Sequence, residues 1–368
     1  MYQFDNRIVM TLDAGGTNFV FSAMQANEEI VNGVCLPSNA DNLEKCLGVL
    51  VEGFTKVREA LSEKPVAISF AFPGPADYNN GIIGDLPNLK AFRGGVALGP
   101  FLNEKFGLPV FINNDGDLFA FGEAIGGLLP EINRKLEAAG NMRRFKNLLG
   151  VTLGTGFGGG FVTNGRLHIG DNGSGGDLWV FRHKKYRDCI TEEGVGVSAI
   201  KRMYATFSGD TTSELSPKDI YDIADGIVQG DQKAALRAFS EMGEEAGDTI
   251  AHAITLIDGL VVIGGGLTNA SKFFMPSLMK ELNGTISKLN GEIFPRLQMQ
   301  AFNLDNELEM DNFLIGNSEL VNVPGSTKMV HYDSAKRIGV AISKLGASKA
   351  IALGAYAYAL QVLDSSIV

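Results

Sequence analysis

The stretches LDAGGTNF, residues 12–19, and VTLGTGFGGGFVTNG, residues 151–165, decide the reading of this chain. In each, an apolar run stops at a glycine turn and a second apolar run follows. Ile8 to Leu12 precedes Phe19 to Met24 in the first, and Leu148 to Leu153 precedes Phe161 to Thr163 in the second. Both patterns predict a β-hairpin with a glycine turn. The repeat is the most informative feature, because two similar halves can clasp one ligand between them. Phosphate groups need several convergent N–H donors and no intruding side chain, which glycine turns supply through positive φ and close backbone approach. The first turn offers Gly15, Gly16, Thr17 and Asn18, and adds Asp13, a carboxylate able to hold Mg²⁺ through water. The second offers Gly154, Thr155 and Gly156. Alone, either turn reads as a plain hairpin; at corresponding places in two half-repeats, the pair reads as a nucleotide site. Neither GxxxxGK[ST] nor a GxGxxG after the first strand occurs.

Outward from the first turn, Leu43 to Leu61 carries apolar residues at helical spacing and closes near Pro65. Val66 to Phe72 is a buried-strand pattern broken by Pro73-Gly74-Pro75. Val110 to Ile112 is a short strand running into Asn113-Asn114-Asp115, and a helical pattern follows. Strand then helix with polar residues at the junction is how open α/β sheets build sites. Glu131 to Asn147 reads as a charged, helix-prone stretch between two strands, a surface excursion. In the second half, Ser216 to Asp219 forms a capping box, Ala234 to Asp258 a long helix, and Leu260 to Ile263 a strand. Gly264-Gly265-Gly266 follows that strand; bare glycines there let a flat base or ribose lie against backbone, and a tight turn without a ligand fits equally well. Phe302 to Tyr332 reads as acidic and irregular, and Ala335 to Ser343 and Ala350 to Leu363 as helices.

Asp115 stands at the strand-to-helix junction, where a carboxylate can orient and deprotonate a hydroxyl. The helix N-terminus is expected to favour its ionised form, and Asn113 and Asn114 can hydrogen-bond other hydroxyls of a polyol. The competing reading makes Asp115 a helix N-cap among asparagine turn residues.

Composition excludes several classes. With 32 Lys+Arg against 42 Asp+Glu, the net charge of −10 repels nucleic acid and acidic membranes, so phosphate must be held locally. Hydrophobic residues at 45% and charged residues at 20% describe a folded chain. Cys35, Cys46 and Cys189 are scattered without a CxxC, which predicts neither a disulfide framework nor a zinc cage. No signal peptide and no apolar span of about 18 residues is present, so a cytoplasmic location is expected.

Together the motifs resemble, in order, those of the ROK sugar kinases (repressor, open reading frame, kinase). LDAGGTNF resembles the first phosphate motif of that family, FAFPGPAD (70–77) with GDLPNL (84–89) its sugar-side loop, and NNDGDLFAFGE (113–123) its END-x-N-A-A-A-x-G-E segment. VTLGTGFGGGFVTNGRLHIG (151–170) resembles the second phosphate motif and VVIGGGL (261–267) the adenosine motif. The resemblance runs from about Ile8 to Leu360. It implies an α/β, two-lobed actin-like ATPase (ribonuclease H-like) fold with an internal duplication. One lobe would hold residues 1–115, rejoined by a C-terminal helix at 350–368, and the other residues 116–349. ATP and Mg²⁺ would occupy the cleft, with Asp13, Gly15, Gly16, Thr17, Asn18, Gly154, Thr155, Gly156, Gly265 and Gly266 toward the nucleotide. Asp115 would be the catalytic base, and Gly74, Asn88, Asn114, Asp177 and Glu192 would hold the sugar.

The chain departs from that family in GGDLWVFRHKKYRDCITEEGVG, residues 175–196. Asp177 stands where Glu is usual, Val180 occupies the position of a His shared by sugar and zinc, and Cys189 is the sole cysteine of a zinc motif. Asn113 replaces a usual Glu. Structural zinc is therefore not expected, and His183, in a basic run, reads as a solvated surface residue. The resemblance implies phosphorylation of a hydroxyl, the 6-OH, of a hexose or amino-sugar, with no nucleic-acid or membrane partner and a homodimer possible. The alternative is a non-catalytic sugar-sensing pseudokinase. Its usual DNA-binding helices would precede the first phosphate motif, where about six residues stand ahead of the first strand. A phosphotransferase acting on a carboxylate is a third option that the Asn-Asn-Asp cluster disfavours.

Overall fold

The first glycine turn joins β1 (Val9–Ala14) to β2 (Asn18–Gln25), paired antiparallel from Val9 with Met24 to Ala14 with Phe19. This computed structural model describes residues 1–74, 76–84, 90–212 and 214–365. The short strands β3 (Glu28–Glu29) and β4 (Val34–Pro37) both pair with β2. α1 (Leu43–Ala60) follows, capped by Asn42. β5 (Ala67–Ala71), buried along its whole length, lies parallel to β1, and β8 (Val110–Asn113) lies parallel to β5. Between them come the two-residue pair β6 (Ala76–Asp77) and β7 (Ile82–Ile83), and α2 (Leu98–Phe106). The sheet order is β3-β2-β1-β5-β8. Its core is aromatic, with Phe21, Phe54, Phe70, Phe72 and Phe92 fully buried and Phe21 edge-on to Phe54 at 5.1 Å.

α3 (Asp115–Gly126) leaves the end of β8, and α4 (Leu128–Ala138) follows. The second glycine turn joins β9 (Leu148–Leu153) to β10 (Phe157–Thr163), and β11 (Arg166–His168) pairs antiparallel with β10. Next in the chain are α5 (Val197–Ser208), α6 (Pro217–Ala224), α7 (Gln232–Ile257), β12 (Leu260–Gly264) and α8 (Ser271–Leu282). The expected box at Ser216 and Asp219 caps α6. A small hairpin of β13 (Thr285–Ser287) and β14 (Ile293–Pro295) precedes β15 (Gln300–Asn303) and α9 (Glu307–Ile315). A second hairpin, β16 (Ser318–Asn322) with β17 (Met329–Asp333), leads into β18 (Arg337–Ile342), and α10 (Ala347–Ser365) ends the chain. This sheet runs β11-β10-β9-β12-β18-β15, with β9, β12, β18 and β15 mutually parallel. Each sheet thus starts from a glycine-turned hairpin and extends through parallel strands, the duplication expected from the repeat.

Three local expectations change. Ala335 to Ser343 is not helical: RIGVAI enters the sheet between β12 and β15 and is buried on both faces, which β-branched residues tolerate better than a helix does. The stretch 302–332 is not irregular but contains the end of β15, α9 and the β16–β17 hairpin. Glu131 to Asn147 is more than an excursion, since Ile132 and Leu136 of α4 are fully buried and Asn133 exchanges hydrogen bonds with the backbone of Phe145.

The chain forms two compact units, Met1–Pro130 with Gly160–Gly176 and Lys344–Val368, and Glu131–Gly159 with Asp177–Ser343. Within the first unit, α3 packs closely on α10 and β10. A Cβ on Gly122 would lie 1.9 Å from the Ala350 carbonyl, and one on Gly354 equally close to the Leu118 carbonyl, so two glycines let α3 and α10 touch through backbone. Gly160 of β10 lies as tightly on the start of α3, where a Cβ would be 2.5 Å from the Gly116 carbonyl.

Candidate functional site

The first glycine turn is braced from just beyond β4. Ser38, buried, donates its hydroxyl to the Gly16 carbonyl at 2.7 Å and its amide to the Thr17 carbonyl at 2.9 Å. Those bonds consume carbonyls and leave the Gly16 and Thr17 amides without a protein acceptor among the described residues. Two consecutive open amides suit an anion. Gly15 has no room for a side chain, since a Cβ would lie 2.7 Å from the Asn18 carbonyl, while Gly16 faces open space. Asp13, exposed at the end of β1, pairs across the hairpin with Val20.

At the end of β8 in the same unit, Asn114 is the N-cap of α3 and accepts the Gly116 amide at 2.8 Å. Asp115 is the first helical residue, so the cap reading of Asp115 is replaced: its neighbour does that work. One Asp115 oxygen also meets the Gly116 amide at 2.9 Å, and the other makes no hydrogen bond among the described residues. The carboxyl is open to solvent on one side but enclosed by protein on the others. That enclosure raises its pKa, and the Gly116 and Asp115 amides only partly offset the rise. The helix start was expected to stabilise the ionised form; partial desolvation by the surrounding protein shifts the carboxyl the other way. Behind Asp115, Asn113 and Asp117 are buried. Glu123, buried at the far end of α3, accepts the Leu128 amide at 2.9 Å and so starts α4. Gly74 lies near Tyr78, whose hydroxyl donates to the Phe72 carbonyl at 3.0 Å; Tyr78 had no signal in the motif reading. Asn88 lies outside the described residues.

In the second unit, the turn Gly154-Thr155-Gly156 is held by two partners. The Val197 amide, at the start of α5, donates to the Gly154 carbonyl at 3.0 Å. Glu192 accepts the Phe157 amide at 2.8 Å through Oε2. A Cβ on Gly156 would lie 2.6 Å from that same oxygen, so the close approach requires glycine. Thr155 and Gly156 again present two consecutive amides without a protein acceptor among the described residues. Gly265, at φ +94°, lets the chain leave β12 against the Leu153 carbonyl, 2.3 Å from where its Cβ would stand; Gly266 beside it has open space.

Residues 175–196 differ from expectation. Asp177 precedes the single turn Leu178–Val180, makes no hydrogen bond among the described residues and is partly exposed, as is Val180. His183 is not a surface residue: it is 6% exposed and its Nδ1 lies 3.0 Å from Glu245 Oε2. Glu245, on α7, also accepts the Lys184 amide at 3.0 Å and the Thr191 hydroxyl at 3.0 Å, and Thr249 lies 2.7 Å from that hydroxyl. The 3.0 Å contact needs a proton between carboxyl and ring. Burial raises the pKa of Glu245 and lowers that of His183, and the Lys185 amide donates to Nδ1 at 3.1 Å, which only a neutral ring accepts. Burial thus disfavours charge on both partners. Glu245 and Thr249 were legible in principle, as polar residues on the apolar stripe of α7 with Met242 and Ala246.

The ROK family model matches residues 9–300, most of the chain. The chain belongs to the ROK family. A solved structure, the glucokinase of Parabacteroides distasonis, is 58% identical to this ROK protein over 98% of this chain and 99% of that one, with a TM-score of 0.89. A glucokinase of Thermotoga maritima is 27% identical, covering 74% of this chain and 86% of that protein. An N-acetyl-D-glucosamine kinase of Haemophilus influenzae is 26% identical, covering 70% and 84%. The fold is the actin-like ATPase fold that the motifs implied. No helix among the described residues of this ROK protein is long and apolar enough to cross a membrane.

Proposed function

We propose that this chain is an ATP-dependent sugar kinase that transfers the γ-phosphoryl group to the 6-hydroxyl of a hexose, glucose being the first candidate and an N-acetylhexosamine the second. The observation that carries the reading is Asp115: exposed at the end of β8, relieved of capping by Asn114, with one oxygen unengaged and its pKa shifted upward. A raised pKa brings a carboxylate closer to the range in which it can accept a proton. Asp115 takes the hydroxyl proton, the sugar oxygen bonds to the γ-phosphorus, and the bond to the bridging oxygen breaks to release ADP. Asn114 keeps its side-chain N–H groups for sugar hydroxyls while its oxygen caps the helix. Gly74, Asn88, Asp177 and Glu192 complete the sugar side; Glu192 has Oε1 left for a hydroxyl while Oε2 holds the turn.

The paired open amides at Gly16-Thr17 and Thr155-Gly156 support phosphate binding, with Asn18 and Gly154 flanking them, and Gly265-Gly266 supports the adenosine side. Asp13 is exposed beside the first turn and makes no ion pair among the described residues, a hard oxygen donor that fits Mg²⁺ through water. Bound there, the ion would neutralise charge on the phosphates. A homodimer is part of the same reading, supported by exposed apolar side chains such as Leu320, Val330 and Tyr332 on the β16–β17 hairpin. The test is a coupled ADP-release assay over hexoses and N-acetylhexosamines. Sugar-dependent ADP release is expected; sugar binding without turnover on the whole panel would replace the kinase with the sensor.

A further inference from the structure

The second glycine turn is held by Glu192, and Glu192 sits on a segment anchored far along the chain. Residues 181–194 fold back on themselves, with Arg182 bridged to Ile190 and the Thr191 amide donating to the Phe181 carbonyl. The segment ends in the single turn Thr191–Gly194 that carries Glu192. α7 holds both ends of it through one side chain. Glu245 accepts the Lys184 amide and contacts His183 at the start, and takes the Thr191 hydroxyl at the end. Because that hydroxyl donates to Glu245, the Thr249 hydroxyl must donate to Thr191, so the network has one consistent direction. Thr191, Thr249, Glu245 and His183 are all buried. Gly194 closes the turn where a Cβ would lie 2.6 Å from Glu245 Cγ and 2.8 Å from His183 Nε2. The carboxyl of Glu245 is thus one residue removed from the carboxylate that grips Phe157.

We propose that Glu245 is a positioning residue for nucleotide binding, acting through Thr191 and Glu192 to hold the Gly154-Thr155-Gly156 turn in its open-amide shape. The proposal rests on reading that turn as a phosphate site. Buried polar networks rigidify when every member is satisfied, and removing one partner strands the others. Because Glu245 serves the network as an acceptor for the Lys184 amide and the Thr191 hydroxyl, an amide oxygen can stand in for the carboxyl while an apolar side chain cannot.

The test compares Glu245→Leu, Glu245→Gln and Thr191→Val in the full chain. ADP affinity is measured by titration calorimetry with Mg²⁺, and the KM values for ATP and sugar by ADP release. Glu245→Leu and Thr191→Val are expected to weaken ADP binding, titrated without sugar, and to raise the ATP KM roughly tenfold; the sugar KM also rises, because Glu192 faces the sugar as well. Glu245→Gln should bind ADP nearly as wild type does. Thr191→Val keeps the shape of the side chain, so it reads the network even where Glu245→Leu fails to fold. Wild-type ADP affinity in Thr191→Val would overturn the proposal, as would an ADP loss in Glu245→Gln as large as that in Glu245→Leu. Wild type that binds ADP but phosphorylates no sugar would sink the kinase reading alone, because the ADP titrations still decide this one.

Discussion

The two glycine turns share a backbone plan and differ in what braces them. At the first, a neutral serine just beyond the adjoining strand β4 donates to two turn carbonyls. At the second, a helix start supplies a donor to one carbonyl, and a carboxylate from 35 residues away accepts a turn amide. Both solutions leave two consecutive amides open. What the duplication preserves is therefore the donor geometry, while the bracing chemistry is free to change. The consequence is asymmetry: the first turn depends on its own sheet, the second on a segment that must be docked on α7.

The largest expected effect lies outside both turns and sets the scale for them. Asp115→Asn removes the proton acceptor and should lower kcat by about 10²–10⁴-fold, with sugar binding kept. Since the folded pKa of Asp115 is raised, its ionisation costs stability as pH rises through that pKa. Thermal melts at neutral pH should accordingly show the Asn variant as stable as wild type or more so. The wild-type rate should fall on the acid side at a pH above the ordinary carboxyl value. A variant that keeps its rate and melts earlier would return Asp115 to a structural role.

The next effect separates the turns. Alanine at Gly156 must displace Glu192 from the Phe157 amide, so it should cost about 1–3 kcal/mol as well as raise the ATP KM. Alanine at Gly16 meets open space and should alter the ATP KM with stability changed by no more than about 0.5 kcal/mol. Calorimetric melts alongside initial rates distinguish the two, and identical melting losses would erase the difference in bracing. The smallest effect is Ser38→Ala, which strands the Gly16 carbonyl for a loss of about 1 kcal/mol, read from denaturant midpoints. A loss as large as that of Gly156→Ala would mean that the first turn is as dependent on its brace as the second.

Asp115 and both turns were legible because their signals are local. An apolar run, a glycine pair and a polar junction each lie within a few residues, and strand-to-helix geometry follows from them. The helix expected at Ala335 to Ser343 failed for the opposite reason. Its alanine, valine and isoleucine content suits a helix or a fully buried strand, and only neighbours on both sides of β18 decide between them. His183 failed likewise, because the basic residues around it look solvated until Glu245 is brought against it.

The sequence by itself determined the two hairpins, the duplication and the place of the proposed base. Each depends on backbone preference or side-chain alternation over a short window. Tertiary structure alone decided which side chain braces each turn, how the chain divides into two units, and that His183 is buried. Those outcomes need partners such as Lys184 and Glu245, 61 residues apart, and close backbone contacts such as Gly122 on Ala350. A residue's own neighbours in sequence carry its conformational preference, but burial and hydrogen-bond partners depend on which distant surface closes over it.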